Sequence, residues 1–286
     1  RMVPLTLVGL GIVVAFQARV FNIGAEGQMV AGALAATALA LSLAQVPGPL
    51  LLPAALLTGA VAGACWGGLA GWLKARFGVN EILSTVMLNQ IALQGMYFLL
   101  RGPMIDPEEL KAGTNIAQSA ALPTQVWLPR APRTLLHAGI LLLPLLAAAV
   151  YVLLRRTAPG MSFRAVGFNP AAARYAGVAV GTTTVLAMAV SGGLAGLAGA
   201  VEVAGIHHRA VEGMTGGAGF AGIVAALLGR LHPLGLLPAS LLFAALLVGA
   251  DKMQRTMQVP AALVLALQGL VLCFLVCSEA WERRRA

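Results

Sequence analysis

The sequence predicts an all-α fold, a polytopic membrane helix bundle with about nine spans in this chain, and three observations predict it. Of its 286 residues, 59% are apolar and 10% charged, where a soluble domain carries roughly 25% charge. The mean hydropathy is +0.87. The apolar runs are continuous for about 20 residues, enough for a helix to cross a bilayer, whereas a closed barrel would show short alternating segments. In lipid the backbone must satisfy its own hydrogen bonds, which a helix does within one segment. Residues 1–286 therefore read as a single transmembrane domain.

Spans are predicted at 2–18, 28–46, 50–73, 81–100, 137–154, 178–201, 213–230, 234–250 and 260–278. Pro47-Gly48-Pro49 marks a tight turn between the second and third. The third carries Gly59, Gly63, Gly67 and Gly71, a flat face that another backbone can approach closely. The sixth does likewise with Gly192, Ala195, Gly196 and Gly199. The seventh has a short, Gly-rich apolar run and is expected to cross as a broken or partly buried span. Cys65, Cys273 and Cys277 all fall in apolar runs and read as packing residues.

Lys74 and Arg76 follow the third span, Arg155–Gly177 follows the fifth, and Arg283, Arg284 and Arg285 end the chain. The positive-inside tendency places all three on the cytoplasmic side. Alternation then puts residues 101–136 and 207–212 outside, Arg230 inside and the N-terminus outside. With Arg1 in place of an initiating Met and no signal-peptide pattern, one preceding span is expected to be missing from this chain. The net charge of +9 suits loops facing an anionic leaflet, so no nucleic-acid partner is called for. Residues 101–136, the longest polar segment, read as an extracytoplasmic loop, either a connector or a docking site for an external partner.

The segment 155–177 is a polar island with Arg155, Arg156, Arg164 and Arg174 and no acid. Ser162 is expected to cap a short helical turn ending at Gly167. Asn169 is expected to cap a second helix with Pro170 at its first position, and Gly177 to end it. Two short surface helices offer a handle to a partner; a plain solvated loop is the alternative.

Polar groups within apolar surroundings need explaining. In Phe21–Gln28, Asn22, Glu26 and Gln28 lie where Gly24 and Gly27 break the helix. This is either an interfacial turn or a polar segment lining a wet cavity, because an ionised Glu at the bilayer centre costs on the order of 3 kcal/mol. Asn80 and Glu81 open the fourth span, and Ser84, Thr85, Asn89, Gln90 and Gln94 continue along it. Such a helix either bonds to neighbouring helices or lines a path for a polar, neutral solute. Glu202, His207, His208, Arg209 and Glu212 cluster at the outer end of the sixth span. Adjacent helical residues point about 100° apart, so one metal ion rarely uses both histidines, and no metal site is assigned. The phosphate-loop pattern GxxxxGK[ST] is absent; if ATP drives this protein, another chain binds it, and no cofactor is assigned here.

At FNIGAEGQMVAGALAA, VNEILSTVMLNQIAL with LLRGPM, AVGFNPAAARYAGV, SGGLAGLAGAVEVAG, GFAGIVAALLGRLHPLG and VPAALVLALQGL, the chain resembles permease subunits of bacterial ABC importers of the branched-chain amino acid, ribose and nucleoside type, closest to the nucleoside or simple-sugar branch. The resemblance implies a pathway shared with a second permease subunit, two cytoplasmic ATP-binding cassette subunits, an extracytoplasmic solute-binding protein, and a place in the bacterial cytoplasmic membrane. It also implies a coupling helix, for which 162–177 is the candidate, with Arg164, Asn169, Pro170, Ala171, Arg174 and Gly177. Ala171 stands where the importer pattern Glu-Ala-Ala-x-x-x-Gly has Glu, so Arg164 and Arg174 would have to supply the polar grip. The expected function is alternating access for a nucleoside or simple sugar without bond chemistry. An ion-coupled secondary carrier using Glu26 or Glu202, or a membrane enzyme using Glu202, His207 and His208, are the rivals.

Overall fold

The computed structural model describes residues 1–257 apart from 114–115 and 131–135, together with Leu270. The ninth predicted span, Cys273, Cys277 and the terminal arginines lie outside the described residues. The helices among those described are α1 (Met2–Gln17), α2 (Ala25–Ser42), α3 (Gly48–Phe77), α4 (Glu81–Leu100), α5 (Pro107–Ala112), α6 (Leu142–Arg156), α7 (Ala158–Phe168), α8 (Pro170–Tyr175), α9 (Val180–Glu202), α10 (Ala218–Leu228) and α11 (Leu236–Met257).

α1 sits at the centre. Every residue from Val3 to Ala15 is buried, as befits a helix that is apolar all round. It packs against α9, α10, α11 and α6. Its one hydroxyl, Thr6, donates to the Met2 carbonyl at 2.9 Å and lies 2.6 Å from Ser240 Oγ on α11. α3, α4 and α6 surround this core and leave apolar faces exposed, among them Leu57, Val61, Leu83, Phe98, Leu145 and Val152. Those faces suit lipid.

The glycine faces of the third and sixth spans meet each other. A Cβ at Gly63 would run into the backbone of Gly192 and Gly196, and one at Gly71 would lie 2.9 Å from Val185 Cα. Backbone thus lies on backbone along α3 and α9. α3 has 30 residues, about 45 Å at 1.5 Å per residue, so it outruns a hydrocarbon core of about 30 Å. Its last turn carries Lys74 and Arg76, and Gly78 caps it at φ 67°.

Two helices begin inside the bundle. α1 ends in a reversal with Arg19 at φ 52° and Val20 N–H donating to the Ala15 carbonyl at 3.1 Å. The chain then runs back alongside the bundle, and Asn22 reaches Ser191 near the middle of α9. α2 therefore starts level with the middle of α9, at Ala25 and not at residue 28. α10 starts opposite Glu26, at Ala218 and not at residue 213.

The described residues do not confirm the count of about nine spans. Five helices are long and apolar enough to cross a membrane: Gly48–Phe77, Glu81–Leu100, Ala138–Arg156, Val180–His207 and Leu236–Thr256. The first and seventh predicted spans are shorter apolar helices, Met2–Gln17 and Ala218–Leu228. At 11 residues, about 17 Å, α10 is a half-span.

Residues 116–130 do not hang free. Ser119 N–H donates to the Ala210 carbonyl at 2.9 Å, Leu122 N–H to that of His208 at 2.8 Å and Leu128 N–H to that of Ala204 at 3.0 Å. The loop is thereby laced onto the segment that follows α9.

Candidate functional site

The interior site is built around the break before α2. Asn22 and Gln28 pair amide to amide: Asn22 Nδ2 donates to Gln28 Oε1 at 2.8 Å, and Gln28 Nε2 donates back to Asn22 Oδ1 at 3.0 Å. Asn22 Nδ2 also donates to Ser191 Oγ at 2.8 Å, and its Oδ1 accepts from Gly24 N–H at 3.0 Å. Both amide protons and both lone pairs of Asn22 are thus used. From α4, Asn89 Nδ2 donates to the Ile23 carbonyl at 2.9 Å, and its Oδ1 accepts from Gly27 N–H at 2.8 Å. Asn89 therefore replaces, on both sides of the break, the helical partners that the backbone lacks.

Glu26, 5% exposed, faces the other way. Its carboxylate accepts from Thr215 Oγ1, and from Gly219 N–H at 2.8 Å. Gly217, at φ 74°, caps the N-terminus of α10, so the acid sits where the free N–H groups and helix dipole favour negative charge. A Cβ at Gly219 would collide with Glu26. Thr215 and Gly219 are hydrogen-bond partners of Glu26 that the sequence reading missed; the expected break in the seventh span was the signal for them.

The polar row of α4 divides. Ser84 and Thr85 turn their hydroxyls onto the Glu81 carbonyl. Asn80 caps the helix by accepting from Ile82 N–H at 2.9 Å. Glu81 pairs with Lys74 at 2.6 Å. Of the row, Asn89 hydrogen-bonds across to the α2 break, while Gln90 and Gln94 lie exposed on another side of the helix.

The island 155–177 is two helices. Thr157, not Ser162, caps the first: its Oγ1 lies 3.4 Å from the donor Gly160 N–H and donates to the Leu153 carbonyl at 2.6 Å. Ser162 lies within α7 and donates to the Ala158 carbonyl at 3.1 Å. Pro159 near the start makes the earlier site the favourable one. Asn169 caps α8, its Oδ1 accepting from Ala171 and Ala172 N–H at 3.0 and 3.1 Å, with Pro170 opening the helix and Gly177 at φ 86° beyond its end. Phe163 is fully buried and Gly167 lies against the Gln17 carbonyl, which docks α7 on the end of α1. Met161, Phe168 and Tyr175 project outward, Tyr175 at 98% exposure. Arg174 and Ala171 are exposed, while Arg164 is half-buried and lines a cleft with Gln17.

At the other end, the cluster after α9 comes apart. His207 Nε2 lies 3.6 Å from Glu202 Oε1. His208 instead stacks on Trp127 with ring centroids 4.0 Å apart, and its Nε2 is 2.9 Å from Arg130 Nη2. Arg209 pairs with Asp106 and Glu212 with Arg101, both at 3.6 Å. Among the described residues no three His, Cys, Asp or Glu side chains gather as metal ligands would.

Burial, and then the charge of Arg130 with smaller effects of His207 and His137, lowers the His208 pKa, against the Ala204 backbone carbonyl, which raises it. The neutral ring can accept the Arg130 N–H. Because the folded-state pKa is depressed, this contribution to stability is complete above the ordinary imidazole value of about 6.5 and is lost as pH falls through the folded value. His208→Phe keeps the stack and is expected to flatten the acid side of a thermal-unfolding profile; an unchanged acid slope would assign the loss to other groups.

The family model described as branched-chain amino acid transport system / permease component matches residues 1–276. The chain is 38% identical over 297 residues to the glucose ABC transporter permease protein TsgB13 of Haloferax volcanii, covering 100% of this chain and 76% of that protein. It is 36% identical over 281 residues to the guanosine ABC transporter permease protein NupP of Bacillus subtilis, covering 98% and 80%. With the nucleoside ABC transporter permease protein NupB of Lactococcus lactis it shares 32% over 280 residues, covering 96% and 76%. No solved structure matches it.

Proposed function

Because the chain belongs to the family of branched-chain amino acid transport system permease components, we propose that it forms, with a second permease subunit, the path for a nucleoside or simple sugar through a bacterial cytoplasmic membrane. It is a multi-pass permease subunit of an ABC importer and not an enzyme. ATP is hydrolysed by partner cassette subunits, and a solute-binding protein outside delivers the solute.

The exposed face of α4 supports the shared path. Leu83, Met87 and Phe98 lie exposed there, but so do Gln90 and Gln94. Two exposed amides are costly against hydrocarbon and suit a polar, neutral solute or a partner helix. The buried members Asn22, Glu26, Gln28 and Asn89 act behind that face, holding the broken helices that shape the path. Asn80, Glu81 and Ser84 hold the cytoplasmic start of α4.

One observation carries the coupling role: a docked helix pair at the basic end of the bundle, with Phe168 81% and Tyr175 98% exposed. Aromatic side chains this bare belong in a partner's groove. Asn169 and Pro170 shape that surface, Ala171 and Arg174 lie on it, and Gly177 ends it. Arg164 braces it from the cleft. ATP-driven closure of the cassettes would push on α7 and α8 and rock the bundle between two packings. Tyr175→Asp with Arg174→Glu is expected to lower co-purification with the ATPase at least tenfold while the permease remains monodisperse. Undiminished recovery of the ATPase would move the coupling surface elsewhere.

A further inference from the structure

At the same end of the bundle a cavity of about 250 Å³ opens between the end of α1, α6, α7 and the turn after α10. Gln17, Tyr151, Arg155, Arg164 and His232 bring polar groups to it, with Phe168 at its edge. A shallower hollow beside it shares Gln17, Arg164 and Phe168 and adds Arg19. No acid lines either one. Arg164 Nε is buried and lacks a hydrogen-bond partner among the described residues, which is unusual for a guanidinium N–H, since buried donors are nearly always satisfied. Arg155 and Arg164 form no ion pair with any described carboxylate.

Two guanidinium groups, one with a hidden unsatisfied donor, beside a phenol, an amide and an imidazole, form a receptor for a tetrahedral oxyanion. α6, which supplies Tyr151 and Arg155, also exposes Leu145 and Val152, an apolar face suited to acyl chains. We propose that this cavity binds a phosphate group, supplied by an anionic lipid of the surrounding leaflet, and that the bound phosphate satisfies Arg164 and braces α7 against α1. Basic pockets between membrane helices commonly take lipid headgroups. The proposal does not depend on the coupling role assigned to α7 and α8.

The test is native mass spectrometry of the delipidated full chain with phosphatidylglycerol, with diacylglycerol, which has the chains but no phosphate, and with inorganic phosphate. Phosphatidylglycerol is expected to stay bound where diacylglycerol does not. Arg164→Gln and Arg155→Gln should each weaken retention by about fivefold, and Arg174→Gln, outside the cavity, should not change it. Stabilisation by inorganic phosphate alone, lost in Arg164→Gln, would keep the site and make free phosphate its source. Equal retention of both lipids, or wild-type retention in both cavity variants without a phosphate effect, would overturn the proposal. Should Arg164→Gln fail to fold, the exposed Arg155 variant still decides.

Discussion

Gly63→Val is expected to abolish recovery of a folded, monodisperse chain. A Cβ at this position would lie 2.6 Å from Gly196 Cα and 2.7 Å from Gly196 N, and closer still to the Gly192 carbonyl oxygen. Backbone atoms have no rotamer to give, so α3 and α9 must move apart. That movement would also open the contacts at Gly59, Gly67 and Gly71, each of which would set a Cβ within 3.0 Å of the facing atoms. Overpacking in cores costs typically about 1–3 kcal/mol when side chains can yield. Here the loss spreads along a whole interface held by van der Waals contact, and an effect above about 4 kcal/mol is reasonable. Gly68→Val is the control, since a Cβ there meets only Ala189 Cβ at an ordinary 3.6 Å. Thermal melting followed by size-exclusion chromatography separates the two. If both variants melt alike, close backbone approach does not hold α3 to α9.

That interface was half legible in the sequence. Four glycines at spacing four define a helix face whatever the fold, so the close approach could be read from Gly59–Gly71 and from Gly192 and Gly196 separately. Their mutual pairing could not, because periodicity describes one helix at a time. The same limit divides α4. The sequence shows a row of polar residues, but about 100° of helical rotation turns Asn89 inward and Gln90 outward, and only the packing says which is which. The span count is less legible for a different reason. Hydropathy registers apolar length, and a short helix such as α10, preceded by non-helical chain, carries the same residues as a weak full-length span. The cap of α7 was missed because two hydroxyls, Thr157 and Ser162, both precede helical sequence, and the choice rests on where α6 ends. Asn169 had no such competitor and was legible.

Glu26→Ala is expected to reduce ATP-driven solute uptake by the reconstituted importer tenfold or more. Its carboxylate collects Thr215 Oγ1 and Gly219 N–H across 189 and 193 residues of sequence, joining the start of α2 to the start of α10. Hydrogen bonds to a charged group contribute about 1.5–3 kcal/mol each, and removal leaves both donors buried without an acceptor. In place of a pinned break, α10 would be free to shift, and α10 runs from this junction to the turn at His232 that lines the cavity beside Arg164. A push on α7 would then be spent on slack at α10 and would not reach the depth of Asn22 and Asn89. Glu26→Gln is the sharper variant. Its amide oxygen can accept from Gly219 N–H while its NH₂ group donates to the Thr215 hydroxyl, which can accept, so both contacts can persist and what is lost is the charge. Uptake between that of wild type and Glu26→Ala is the expected result. Thr215→Ala takes the donor from Glu26 Oε1 but leaves the Gly219 N–H bond to Oε2 in place, so it should cost less than Glu26→Ala. Wild-type uptake in Glu26→Ala would show that the junction tolerates a broken pin, and α10 would have to be positioned by its packing on neighbouring helices alone.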